Sequence, residues 1–357
     1  MRKVSSGATA GAAKLKPPSR NSKRRYLVIV KSKSVRGQVH RVLLEMLESR
    51  AGIIVRRFLQ SRLVRNEKRF LATISDEYGG SQALMERLRT TSAGPHSPAF
   101  FILGNGDSVN VIPTEDFAVM VQNLSVGLNA WPLHPHVPHM YSFEFGNDTK
   151  PLDKELRGLV AMAVNKAPDK PSDLMFLRPS VQKLPLVAAW LKSLAGPQVF
   201  FHGRINLTTR QQANLGGDIK WSLDRLSRGN SNTVLLDNGA SVVRMISLAL
   251  LTGFKRIVLA GVDLNGSDYF WFNSEFIEKY GDFTADFPRK AAESELTLST
   301  DNRPFSTRHF ILQLAVLAEQ HYGAQVFVAT KEQALATDLM VFDFSKERMD
   351  HSGGAGS

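Results

Sequence analysis

The chain has 357 residues, 43% of them hydrophobic, and a formal net charge of +12. That length allows about two domains, and that apolar share suffices for a substantial core. It has no cysteine, which excludes disulfides, iron–sulfur clusters and cysteine–zinc sites and points to a reducing compartment. The start, Met1-Arg2-Lys3, is basic but leads into no apolar stretch of the secretory kind. The apolar runs fall far short of the roughly 20 residues that cross a bilayer. The expectation is a cytoplasmic protein.

Charge is unevenly spread. Residues 1–70 hold 19 lysines and arginines against three acids, Glu45, Glu48 and Glu67, so this segment carries +16 and the remainder −4. A basic arm on a mildly acidic body suggests an anionic partner, nucleic acid or acidic phospholipid. The arm's aromatics are only Tyr26, Phe58 and Phe70, too few for the stacking that single-stranded nucleic acid binding uses. Its aliphatic residues fall at helical spacing, which fits a helix lying on an anionic membrane. A packing or oligomer contact is the alternative.

In chain order, 1–25 is small, basic and proline-containing and reads as a disordered tail. Residues 26–96 read as a basic, mainly helical region. It holds a short strand over 26–30, helix over 36–70 with a break near Gly52, and a helix over 81–90. The run Thr91-Ser92-Ala93-Gly94-Pro95 ends it as a domain boundary. From 97 to 345 strands and helices alternate. Strands are predicted at 98–103, 198–201, Arg256–Ala260 and 324–329, with short strand ends at 127–129 and 140–145. Helices are predicted at 152–165, 181–194, 241–252 and 308–322. The pattern implies an α/β fold with a Rossmann-like, mainly parallel sheet covered by helices on both faces. Residues 346–357 read as a flexible tail.

Two blocks can carry chemistry. The first is Gly104-Asn105-Gly106-Asp107-Ser108, directly after the apolar run Phe100-Phe101-Ile102-Leu103. Two glycines there let backbone N–H groups approach a phosphate, and a following helix N-terminus adds partial positive charge. The same residues also suit an ordinary tight turn with Ser108 as a helix cap. The second block begins at Ser241, runs through an apolar helix to Gly253, and ends in Gly261-Val262-Asp263 after a buried strand. Asp263 thus falls where open sheets bind ligands. A histidine-rich loop, His134-Pro135-His136-Val137-Pro138-His139, and the run His202-Gly203-Arg204 are further candidates. The loop is expected to overlie the ligand rather than to hold a metal.

These blocks together resemble the bacterial sialyltransferases of glycosyltransferase family 42. The strand-Gly-Asn-Gly-x-Ser turn is similar to that family's opening. Leu248 to Asp263 is similar to its helix, Gly-aromatic-Lys turn and strand, and Asn265-Gly266-Ser267-Asp268-Tyr269 resembles its Asn-Gly-Ser-x-Tyr. The likeness covers roughly residues 97–330 and is good at two blocks.

The resemblance implies a GT-A-like variant fold that transfers sialic acid or a related ulosonic acid from a CMP-sugar donor. The acceptor would be a surface glycan or glycolipid, such as lipopolysaccharide or capsule. The enzyme would work at the cytoplasmic face of the bacterial inner membrane, without a cofactor. Gly104, Asn105, Gly106, Ser108, Asn129, Ser241 and Asp263 would hold the donor nucleotide. Tyr269 would donate to the departing phosphate, and Asn147, Arg204 and Arg303 would meet donor sugar or acceptor. The family's catalytic histidine aligns with Ser306, so His309, one turn on, and Asp301 stand as candidate bases, with Arg303 and Arg308 as further phosphate donors. The chain has no Asp-x-Asp pair, the usual metal anchor of the other glycosyltransferase class, which favours metal-independent transfer. The alternatives are a pyrophosphokinase with a similar turn, and a catalytically inactive protein that binds nucleotide or nucleic acid.

Overall fold

The computed structural model describes residues 50–78, 81–94, 97–145, 154–168, 172–177, 179, 184–194, 198–207, 209, 211–228, 234–264, 268–287 and 305–352. The expected tail over 1–25, the strand over 26–30 and the end at 353–357 lie outside them. Packing divides the chain into Met1–Ile53 and Ile54–Ser357, and the second unit is the α/β body.

That body is built on nine strands, all parallel, in the order β6-β5-β4-β3-β2-β1-β7-β8-β9. They are β1 Phe100–Leu103, β2 Leu124–Leu128, β3 Met140–Phe143, β4 Asp173–Leu177, β5 Val199–Asn206, β6 Val234–Asp237, β7 Arg256–Ala260, β8 Gln325–Val328 and β9 Met340–Val341. The helices are α1 Arg50–Tyr78, α2 Ser81–Ala93, α3 Thr114–Gln122, α4 Lys154–Lys166, α5 Leu184–Lys192, α6 Gln212–Ser227, α7 Ser241–Thr252, α8 Ser274–Tyr280, α9 Thr307–Leu317 and α10 Phe344–Ser352. The α/β expectation with a parallel, Rossmann-like sheet holds.

Four consecutive residues of β1, Phe100 to Leu103, are fully buried. Neighbouring side chains on a strand point to opposite faces, so both faces of the sheet are covered. Phe100 meets Phe254, just past α7, with ring centroids 5.0 Å apart. Phe101 meets Phe342 and Phe344, at the start of α10. The chain builds β1 to β6 outward on one side, then returns to lay β7 on the free side of β1. This is the topological switch point at which open sheets form their ligand crevice.

Several expectations are corrected. Gly52 does not break α1, which runs through it as one helix. The break after α2 does not set the preceding helices apart from the body. Val64, Leu71 and Ile74 of α1 and Leu84 and Leu88 of α2 belong to the same buried core as the strands, and Ser92 donates to the carbonyl of Thr252 at 2.6 Å. The expected flexible tail is helix α10 as far as Ser352, with Glu347 paired to Arg256 and Arg348 to Asp116. His202-Gly203-Arg204 lies inside β5, not after it.

One ion pair fixes α1 against α6. Arg56 reaches Asp218 at 2.7 Å, and each side chain is only 1% exposed. Arg57 adds a longer contact to the same carboxylate at 3.6 Å and lies over the Trp221 ring. Removing one partner of such a pair strands the other charge away from water. Asp218→Ala should therefore lower unfolding free energy by about 3–5 kcal/mol, read as a shift in the urea midpoint at unchanged slope.

Candidate functional site

The site forms where five strands end. At β1, Gly104 leads into a turn whose N–H groups are used inside the protein. Gly104 N donates to Ala260 at 2.7 Å, Gly106 N to Gly261 at 2.8 Å, Asp107 N to Asp268 at 2.9 Å, and Val109 N to Gly106 at 3.2 Å. Ser108 N and Oγ both donate to the Asp263 carboxylate. The expected phosphate cradle of N–H groups is therefore not formed by these residues.

The glycines serve the fold. A Cβ on Gly104 would fall onto the backbone of Gly261, and one on Gly106 onto the Asp263 carboxylate. Asp263 itself closes the two turns together instead of facing a ligand alone. What the turn offers is the side chain of Asn105, half-buried, with an Oδ1 that has no hydrogen-bond partner. Beside it, Tyr269 bridges to Gly106 and stacks on Trp271 with centroids 4.4 Å apart.

At the end of β2, Asn129 sits in the left-handed region with φ 47°, a conformation that asparagine tolerates better than most residues. Its N–H donates to Ser142 at 2.9 Å. Its Nδ2 donates to Ser241 Oγ at 3.3 Å, so Asn129 and Ser241, distant in sequence, meet at the start of α7. Ser241 Oγ donates to Glu144, which follows β3. Arg244, one turn into α7, is fully buried and binds Glu144, Ser241 at 3.0 Å and Asp237 at 2.9 Å. Asp237, at the end of β6, also holds Arg204 of β5 at 3.4 Å.

Two guanidiniums and two carboxylates thus form one network, with Asp237 and Arg244 dry inside and Arg204 and Glu144 facing solvent in part, at 47% and 35% side-chain exposure. Buried charge is tolerable only when paired, which explains why a charge stands in an otherwise apolar helix. Glu144 and Arg244 were not recognised from sequence as site residues. The signal for Glu144 was its place one residue beyond a buried parallel strand. Arg244 gave none by itself.

The last contributor is the start of α9. Ser306, aligned with the family's histidine, is the helix cap, and its Oγ accepts from His309 N at 3.2 Å. The His309 ring stacks on Phe305 with centroids 5.6 Å apart, and its Nε2 is buried without a hydrogen-bond partner. Asn238, in the turn after β6, donates to the Phe305 carbonyl at 3.2 Å. This tie brings the His309 turn beside the β6–α7 turn. Arg308 is committed to Asp338 and Thr337. Asn147, Asp301 and Arg303 lie outside the described residues, as do Asn265, Gly266 and Ser267.

The histidine loop is core. His134 stacks on Trp131 with centroids 4.5 Å apart, and both are buried. Burial, reinforced by neighbouring charge, lowers the His134 pKa to about 3 and that of His136 to about 4. His139 exchanges hydrogen bonds with Ser125. Lys166, its pKa lowered by burial to about 8, donates to the His134 carbonyl. The loop therefore packs between the interior strands β2 and β3, with its imidazoles held by the protein itself. Among the described residues, no group of three or more His, Asp or Glu is arranged to hold a metal ion.

No protein-family model matches this chain, and neither does any curated protein.

Two outcomes follow. Gly104→Val drives a branched side chain into the Gly261 backbone, and the required shift of β7 should lower the melting temperature by several degrees. His202 is buried beside Arg244, and burial first, then that cation, lowers its pKa to about 3. An unfolded histidine titrates near 6.5, so the unfolded chain takes up protons that the folded one refuses. Stability is complete above pH about 6.5 and falls as pH drops towards 4, by about 1.4 kcal/mol per unit for each such histidine. Urea titrations at pH 7 and pH 5 check this, and His202→Gln should reduce the difference by that histidine's share, leaving the part due to His134 and His136.

Proposed function

We propose that this chain is a glycosyltransferase of the sialyltransferase type that takes an acidic sugar from a CMP donor and passes it to a glycan acceptor. The observation that carries the reading is the convergence at one sheet end of Asn105, Tyr269, Asn129 and Ser241, the residues that the family resemblance assigns to the donor. They come from four separate stretches of chain. Asn105 and Tyr269 lie together at the β1 turn and Asn129 and Ser241 at the start of α7, at the strand ends where an α/β sheet binds nucleotides.

In this reading the side chains of Asn105 and Asn129 hold the nucleotide by hydrogen bonds, in place of a backbone phosphate cradle. Tyr269, beside the β1 turn, donates its phenol to the departing phosphate, an interaction that strengthens as charge develops. Arg204, half out of the Asp237 network, pairs with the carboxylate of the acidic sugar. His309 takes the proton of the acceptor hydroxyl. Its Nε2 lacks a competing partner in the protein, as a base awaiting substrate requires.

The test is calorimetry and turnover on four variants. Asn105→Ala and Ser241→Ala should each weaken CMP binding by about fivefold to a hundredfold, the loss of one or two hydrogen bonds. Tyr269→Phe should lower kcat more than it raises KM for the donor. His309→Ala should cost about 10²–10⁴ in rate while CMP still binds. Unchanged CMP affinity in both binding variants, or tighter binding of ATP than of CMP, would remove the reading.

A further inference from the structure

Helix α1 carries an apolar face that the body does not use. Ile54 is 72% exposed, Phe58 61%, and Val55, Leu59 and Leu63 47–49%. At 100° per residue these positions share one half of the helix surface. The same half continues C-terminally with Arg62, Arg65 and Arg69, all exposed.

The opposite half is fixed. Arg56 is locked to Asp218, and Val64, Leu71 and Ile74 are buried in the core. The helix therefore cannot roll its apolar residues inward. A patch of large apolar residues held outward marks a docking surface.

Charge decides what fits it. Between Ile54 and Ile74 the sole acid is Glu67, which sits against Gly203 of β5. The exposed half is thus apolar with three arginines and no acid. A second copy packed face to face would bury arginines with no carboxylate to pair them. A nucleic acid would want stacking aromatics, and this half exposes Phe58 while Phe70 packs against the core. An anionic bilayer meets both features, taking the apolar side chains into its acyl boundary and the arginines at its headgroups.

We infer that the Ile54–Leu63 stripe and Arg62, Arg65 and Arg69 form a docking face for an anionic lipid surface. This stands apart from the glycosyltransferase reading and survives if that reading fails. Any membrane-held role for the chain would use this face, with the basic residues before it adding attraction screened by salt.

The experiment is co-sedimentation of the full chain with phosphatidylcholine vesicles, with and without phosphatidylglycerol. The wild type should pellet with the anionic vesicles, release as salt rises, and ignore the neutral ones. F58E/L59E and R62E/R65E/R69E should each lower partitioning at least about tenfold, since each arginine near such a surface contributes about 1 kcal/mol or a fivefold factor. The substituted side chains are exposed, so thermal melting should match the wild type. Either variant binding as well as wild type would assign the binding to residues before α1 and overturn the face. So would wild type that ignores anionic vesicles, or light scattering that shows a dimer split by F58E/L59E.

Discussion

The carbonyl of Gly261 lies where a side chain on Gly104 would begin, and the geometry of the site follows from that contact. Gly261 adopts φ 66° to make its turn, a left-handed conformation that glycine reaches without strain. With the two backbones touching, Gly106 N reaches the Gly261 carbonyl and Ser108 reaches Asp263. This seals the switch point between β1 and β7. Tyr269 is then delivered to the edge of the β1 turn, because Phe270 N donates to the Asn105 carbonyl at 3.0 Å. The turn that looks built for a phosphate is spent on closure, and what it leaves to the crevice is side chains, Asn105 first among them.

A second constraint works at the other end of the crevice. Arg244 must be neutralised where it lies, and the carboxylates that do so come from the ends of β3 and β6. A buried guanidinium with two carboxylates fixes the relative position of two strands and of the α7 start more tightly than apolar packing alone. Ser241 is oriented by the same network, accepting from Asn129 and Arg244 while donating to Glu144. A ligand that bonds to Ser241 therefore competes with Glu144 and alters the balance of the pair beneath it.

Much of the fold was legible because its central strands are continuous apolar runs. Phe100–Leu103 and Ile257–Ala260 are buried on both faces, so nothing polar interrupts them. The helix Ser241–Thr252 was legible by its length and by Gly253, whose φ of 94° ends it. Other elements were hidden by local composition. In α6 the buried residues Leu215, Ile219, Leu223 and Leu226 keep a helical period, but Gly216-Gly217 interrupts the propensity. β4 follows Lys170-Pro171-Ser172 and is too short to show a period. The C-terminal helix has no apolar stripe; its ion pairs and Phe344 hold it down, and neither is visible before the sheet exists.

The site was legible as a set of stretches and illegible as a network. Asn105, Asn129, Ser241 and Tyr269 each stood out beside a strand end or a small-residue turn. Glu144 and Arg244 are 100 residues apart, and a charge inside an apolar helix has no local explanation. Pairing across such a distance depends on strand order, which no short-range pattern encodes. The histidine loop erred in the other direction. Three imidazoles between prolines look like a site, yet burial keeps His134 and His136 neutral and aromatic packing occupies their faces. A side chain with chemical capacity becomes functional only where the fold leaves it unsatisfied. By that criterion the buried, unpartnered Nε2 of His309 and Oδ1 of Asn105 qualify; so does Nε2 of His136, but the Phe117 and Trp131 rings pack against that imidazole.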